Sequence, residues 1–391
     1  MSKFTLMNKN KKVFDFVYDD EEHLIVKFER NYPDNEKYAP FGLIKDGNIN
    51  KTDFHKWWKN RQIPASRNGL KEVLRTGNIY DEDNFDLLDS KAYCLSLSDQ
   101  YWVKRINEDI LWEDINFFDN EFSEDIGKIL FEGGKTLINL NLNTPDMTSN
   151  GNYEKRWKII DGDRYLVKAG GKMINQEPFN EVIATKLYER ILNDDEYVKY
   201  EVVNDNERAV SICKNFITSN TELIPAWKIN EYYEFIDGEN KYEHYVRCLN
   251  ELNIPNANIL VDKMIICDFI LANKDRHFNN FGVIRNVLTL EFEKVAPLFD
   301  NGCSLWFDEN DMYVGEFFFT KPFEEYEKVQ VSLVKNISWL DISKLDGFDL
   351  EVKEILSSNK LLSEERINKI VEQIKLRIEF VNQLKQNIVD C

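Results

Sequence analysis

The chain is short of the residues from which metal cages and disulfide frameworks are built. Its 391 residues include four histidines, His23, His55, His244 and His277, and six cysteines, Cys94, Cys213, Cys248, Cys267, Cys303 and Cys391. No two cysteines stand in a CxxC pair, which argues against a structural zinc site. Several lie inside apolar runs, as in SICKNF and MIICDF, and read as reduced core thiols. Positive charge is also scarce: 50 Lys and Arg against 69 Asp and Glu give a formal charge of -19. That balance argues against a broad nucleic-acid footprint and against an anionic membrane surface. No run approaches 18 uninterrupted apolar residues, and the opening MSKFTLMNKNKK lacks the apolar stretch of a secretory signal. The expectation is a cytoplasmic protein with no membrane partner.

What the chain does have is apolar material, 43% hydrophobic and 13% aromatic, and a length that calls for two or three compact units. Residues 4 to 45 alternate apolar and polar positions, with turn signals at 8 to 11 and 18 to 22, and predict two or three short strands. Residues 51 to 58 and 69 to 75 read as helices separated by Pro64 and Gly69. Residues 95 to 103 read as a strand or a buried extended segment. His23, His55, Trp57, Trp58 and Trp102 invite a ligand-pocket reading, but packing against a neighbouring domain is the better account of them. An acidic stretch over 113 to 129 marks a boundary or a docking segment.

Beyond it, residues 135 to 141 read as a strand, 143 to 158 as a loop and 164 to 169 as the next strand. Lys168 closes that strand in an apolar setting, facing either solvent or a buried anion. Glu181 opens an amphipathic helix, and residues 210 to 216 form another short strand. Residues 217 to 253 mix helix and loop. A helical stripe then runs over 257 to 272, followed by strands at 283 to 284 and 292 to 298. Near the end, Ser363 caps a helix whose apolar stripe includes Ile367, Ile370, Val371, Ile374, Ile378, Val381 and Leu384.

Polar chemistry concentrates where the 257 to 272 stripe ends. Asn280 follows Asp275 by five positions, and Asp300 follows it by 25. An Asp that accepts a hydroxyl proton, with an Asn and a second Asp that hold Mg²⁺, is the layout of a phosphoryl-transfer site. Mg²⁺ takes one or two protein oxygens and leaves the rest of its shell to phosphate and water. The spacing alone is weak in a chain so rich in Asp and Asn. Placement on loops between a buried helix and a hairpin strengthens it.

These residues, NKDRHFNNFG followed by PLFDNG, resemble the catalytic and metal loops of HipA-like serine/threonine kinases, the family of the bacterial persistence toxin. The order of Asp275, Arg276 and His277 also resembles the phosphoinositide-class lipid kinases. The resemblance spans roughly residues 130 to 390 and does not extend to the first 128. Residues 1 to 128 read as an appended α/β domain; the resemblance implies an α+β, two-lobed protein-kinase-like fold, with a mainly β N-lobe over 129 to 216 and a helical C-lobe over 217 to 391. It implies ATP and Mg as cofactors and transfer of the γ-phosphoryl group to Ser or Thr of a protein, with an antitoxin-like or regulatory protein as a further partner.

In that frame Asp275 is the catalytic base, and Asn280 and Asp300 are the metal ligands. His277 either touches the transferring phosphate or shapes the loop, and Arg276 is structural. Lys168 holds phosphates and Glu181, beside Asn180, positions it. The stretch Thr148, Ser149, Asn150 and Gly151 approaches phosphate, and Thr144, Thr148 or Ser149 receives a phosphate in autophosphorylation. Lys214 to Phe216 is the hinge that meets adenine. A lipid or small-molecule acceptor, and a pseudokinase that only binds, remain as alternatives.

Overall fold

The computed structural model describes residues 1–22, 24–45, 47–59, 61, 93–132, 143–148, 154–309 and 318–389. The helix expected over 69 to 75, the strand expected over 135 to 141, and His23, Ser149, Asn150 and Gly151 lie outside the described residues. Helices and antiparallel strands share the rest, an α+β composition. The chain divides into two compact units, residues 1–168 with 217–223 and 286–291, and residues 169–216, 224–285 and 292–391. Among the described residues, no helix is long and apolar enough to cross a membrane.

The first unit is organised by an antiparallel sheet in the order Leu24–Asn31, Lys11–Asp19, Ser2–Asn8, Tyr101–Arg105. Alternation along each strand sends side chains to both faces, and both faces are covered. On one, Phe14 and Phe16 meet Phe54 of the helix Lys51–Lys59 with ring centroids 5.1 Å and 5.2 Å apart. Trp57 and Trp58 join that cluster, so they are the core of their own unit and do not serve to dock another domain. On the other face Met7 and Trp102, opposite each other in register, pack with Leu95, Trp112 and Phe117. The strand near residue 100 starts only at Tyr101; residues 95 to 100 are irregular.

The acidic stretch is anchored, because apolar side chains within it and just before it point inward. Trp112 and Phe117 are buried, the Trp112 amide donates to Asn10 Oδ1 at 2.8 Å, and Arg164 donates from Nε to the Phe117 carbonyl at 2.8 Å. Arg164 belongs to a hairpin, Lys155–Ile160 with Asp163–Ala169. Asp161 and Gly162 turn it with φ of 50° and 85°, the left-handed pair that a two-residue hairpin of this twist requires. The expected loop over 143 to 158 therefore ends sooner, with residues 155 to 158 already in a strand. Asp146 helps to stop it, accepting the Trp157 amide at 2.8 Å.

The second unit begins with the helix Glu177–Ile191. Pro178 lies in its first turn, where a missing N–H costs nothing. Glu181 consequently sits one turn inside the helix and does not open it. A hairpin follows, Tyr200–Asp205 with Arg208–Lys214, then the helices Ala226–Tyr232 and Lys241–Glu251, the latter started by a capping box between Asn240 and Glu243. The helix Ala257–Leu271 is buried along most of its length and feeds the hairpin Gly282–Asn286 with Phe292–Val295. Ser363 Oγ accepts the Arg366 amide at 3.2 Å and starts the 26-residue helix Glu364–Val389, whose stripe Ile367, Ile370, Val371, Ile374 and Val381 is buried. The five cysteines among the described residues form no disulfide, and four of them are buried.

Candidate active site

The helix Ala257–Leu271 ends at Ala272, whose φ of 50° turns the chain away from the helix axis. Asn273 fixes the exit: its Nδ2 donates to Asp268 Oδ1 at 3.0 Å, and its own Oδ1 accepts the Asp275 amide at 3.1 Å. The loop then closes on itself. The Asp275 carbonyl accepts the His277 amide at 2.7 Å and Asn280 Nδ2 at 3.1 Å, and the His277 carbonyl accepts the Asn280 amide at 2.8 Å. Ala226 and Trp227 donate their amides to the carbonyls of Phe281 and Phe278 at 2.9 Å and 3.1 Å, holding the far side of the loop.

Arg276 is the centre of this arrangement and has no solvent exposure. Nε and Nη2 each donate to the Asp268 carboxylate at 2.9 Å. Nη1 donates to the carbonyls of Asn280 at 2.9 Å and Phe299 at 2.5 Å, and Nη2 also reaches Asn301 Oδ1 at 2.6 Å. All five N–H donors of a guanidinium are thereby used. Burial works against the charge, but Asp268 more than offsets it and raises the pKa above the ordinary arginine value. One buried cation thus ties the Asp275 loop to the turn that carries Asp300, as the structural role expected of Arg276 requires.

The Asp300 turn has further supports. Asp300 adopts a left-handed φ of 62°, and its amide points at Tyr200 Oη at 3.4 Å. The next amide, of Asn301, donates to Glu181 Oε2 at 2.8 Å, and Tyr188 Oη donates to Asn301 Oδ1 at 2.7 Å. Asn180 Nδ2 donates to the carbonyls of Gly302 at 2.8 Å and Ser304 at 2.7 Å. Asn180 and Glu181 are therefore clamps on the 301 to 304 turn. Lys168, expected to pair with Glu181, lies half-buried in its hairpin in the first unit.

Asp275 points a half-exposed carboxylate outward. Lys321 Nζ donates to its Oδ1 at 2.8 Å, and His277 Nε2 lies 3.9 Å from its Oδ2. Asn280, nearly buried, spends its amide N–H on the loop carbonyl, which directs its Oδ1 away from that bond. Asn280 and Asp300 offer hard oxygen donors from the two loops that Arg276 joins, a set that fits Mg²⁺ with phosphate and water completing its shell. Among the described residues, no group of three or more His, Cys, Asp or Glu could hold a metal by itself. Cys303 is no rival nucleophile: burial, then the nearby Asp300 and Asp275 charges, push its thiol well up and keep it protonated.

The remaining expected residues are spread wider. Lys214 ends its strand exposed, and Phe216 lies 5.4 Å from the ring of Phe299, directly before Asp300. Thr148 Oγ1 donates to the Leu95 carbonyl at 2.7 Å. Thr144, expected in an open loop, is 1% exposed and donates to Asp146 Oδ2 at 3.1 Å, so it is not presented for modification. Sequence reading did not find Asp268, Tyr188, Asn301 or Lys321. Asp268 had one signal, a carboxylate inside the apolar run MIICDFI.

No family model matches the chain, and no curated protein matches it. Among solved structures it is similar to a proinflammatory kinase of Helicobacter pylori, CtkA, at 16% identity and a TM-score of 0.43, over 57% of this chain and 89% of that one. Neither fold nor activity is carried across on that likeness.

Proposed function

We propose that this chain is an ATP- and Mg-dependent kinase of two-lobed, HipA-like fold that phosphorylates Ser or Thr of a protein acceptor, with residues 129 to 216 as its N-lobe and 217 to 391 as its C-lobe. The observation that carries the reading is the Arg276 tie, which holds the Asp275 and Asn280 loop and the Asp300 turn on one buried cation. In this reading the acceptor hydroxyl oxygen attacks the γ-phosphorus, and its proton passes to the Asp275 carboxylate. The new O–P bond forms as the bond from phosphorus to the β,γ-bridging oxygen breaks, and ADP leaves with that electron pair. Mg²⁺, held by Asn280 and Asp300, would neutralise phosphate charge. His277 lines the open side of Asp275. Asn180 and Glu181 keep the Asp300 turn in place, and Lys214 to Phe216 meets adenine.

Incubating the purified full-length chain with Mg-ATP, then measuring ADP release and intact mass of the chain and of candidate protein acceptors, tests this. Wild type should form ADP and a phosphorylated product, and Asp275→Asn should form both roughly 10²- to 10⁴-fold more slowly. Equal ADP formation by both proteins, or none by wild type, would remove the kinase assignment.

A further inference from the structure

We propose that Lys321 is a positioning residue for phosphoryl transfer: it holds one oxygen of Asp275 and leaves the other to the acceptor hydroxyl. The inference rests on the kinase reading above and adds to it a residue some 46 positions downstream of the base. Lys321 Nζ donates to Asp275 Oδ1 at 2.8 Å, while Oδ2 faces the side lined by His277. A base works only if the carboxylate oxygen is aimed at the proton it must take. Asp275 is short-stemmed and half-exposed, and no buried donor among the hydrogen bonds described above fixes its carboxylate. The ammonium of Lys321 supplies that restraint.

The segment that carries Lys321 is built to present it. Gln330, buried to 3% exposure, uses both ends of its amide on this segment. Its Oε1 accepts the Phe323 amide at 3.0 Å and the Glu324 amide at 3.2 Å, and its Nε2 donates to the Lys321 carbonyl at 2.8 Å and to Thr320 Oγ1 at 3.3 Å. Thr320 also donates its amide to the Glu325 carbonyl at 2.8 Å. One step further, Glu327 accepts from Arg377 Nη2 of the last helix at 2.6 Å, with both side chains 3% exposed. The backbone under Lys321 is thus fixed from the interior, while the Lys321 side chain itself is 52% exposed. An ion pair so exposed adds little to folding. The elaborate support beneath it is better explained by the place it gives the ammonium than by stability.

The test is steady-state ADP release by the full-length chain over a range of Mg-ATP concentrations, for wild type, Lys321→Met, Lys321→Arg and Asp275→Asn, with melting temperatures recorded for each. A lost aiming contact can cost on the order of 10- to 100-fold in rate. Lys321→Met should lose about that much in kcat with KM for Mg-ATP and melting temperature unchanged, and Lys321→Arg should recover most of the loss. A kcat for Lys321→Met equal to wild type, in a protein whose Asp275→Asn variant is strongly slowed, overturns the role of Lys321 and leaves the kinase reading standing. A loss matched by a raised KM or a lowered melting temperature, or one that arginine does not repair, also overturns it. Absence of Asp275-dependent turnover in wild type overturns the kinase reading itself, and the role of Lys321 with it.

Discussion

Asp268 and Arg276 form an ion pair inside the protein, with Nε and Nη2 of the guanidinium each 2.9 Å from a carboxylate oxygen and exposures of 3% and 0%. The carboxylate comes from the end of a helix and the guanidinium from the loop after it. Because the same guanidinium also grips Asn280, Phe299 and Asn301, the pair is at once a fold contact and the frame of the candidate site.

Breaking this pair from one side should be expensive. Asp268→Ala leaves a buried cation without its counter-charge, a change that costs about 3–5 kcal/mol. Arg276→Lys should fare little better, since a single ammonium cannot reach partners spread over three chain segments. Urea denaturation of both variants measures the loss; a destabilisation below about 1 kcal/mol, the range of exposed pairs, would contradict the frame role.

The two carboxylates of the site should fail differently. On the proposed function, Asp275→Asn keeps the shape and removes the base, so transfer should fall by roughly 10²- to 10⁴-fold while Mg-ATP still binds. Asp300→Ala removes the proposed metal ligand, so Mg-ATP affinity itself should drop. Ligand at about 100 times its Kd adds roughly 2.7 kcal/mol to apparent stability, which a melting assay resolves. Asp275→Asn should keep that Mg-dependent shift and Asp300→Ala should lose most of it; identical shifts in the two variants would dissolve the division of roles.

Two glutamates should give stability opposite slopes with pH. The Arg247 side chain, with Nε 2.8 Å from Glu239 Oε1, lowers the Glu239 carboxyl from 4.5 to about 2. Its contribution is complete above 4.5 and is lost as pH falls toward 2. Glu177 is the reverse: burial raises its carboxyl above 4.5, so its penalty is absent below that pH and grows as pH climbs through the raised value. Denaturation midpoints across this range should show Glu239→Gln flattening the acid limb and Glu177→Gln stabilising the protein at neutral pH. A Glu177→Gln variant less stable than wild type at pH 7 would show that the buried charge is compensated.

Gly282 opens the strand after the Asn280 loop, and a Cβ placed there would lie 2.1 Å from the Ile224 carbonyl oxygen. Backbone cannot move aside as a side chain can, so Gly282→Ala should cost about 1–3 kcal/mol or more. The displacement would fall next to Phe281 and Asn280, and Mg-dependent stabilisation should weaken along with the fold. Unchanged melting with and without Mg-ATP would mean that the two backbones are not in this contact.

Local pattern accounts for much of this protein. Alternation over residues 4 to 45 calls for two or three strands, and three form between Ser2 and Asn31; the stripe after Ser363 lays down the last helix, because each depends on neighbours within a few positions. The spacing of Asp275, Asn280 and Asp300 singled out the two loops that Arg276 joins. Local pattern did not reveal that Arg276 would find Asp268, that Glu181 would accept the Asn301 amide, that Thr144 would be buried, or that Lys321 would reach Asp275. Glu181 meets Asn301 and Lys321 meets Asp275 across 120 and 46 positions, and even Asp268 and Arg276, eight apart, sit on different elements; a charged or polar side chain carries no periodic mark of the partner it will meet. Only the packing of helix, loop and turn around a dry interior decides it, because there each buried donor must find an acceptor.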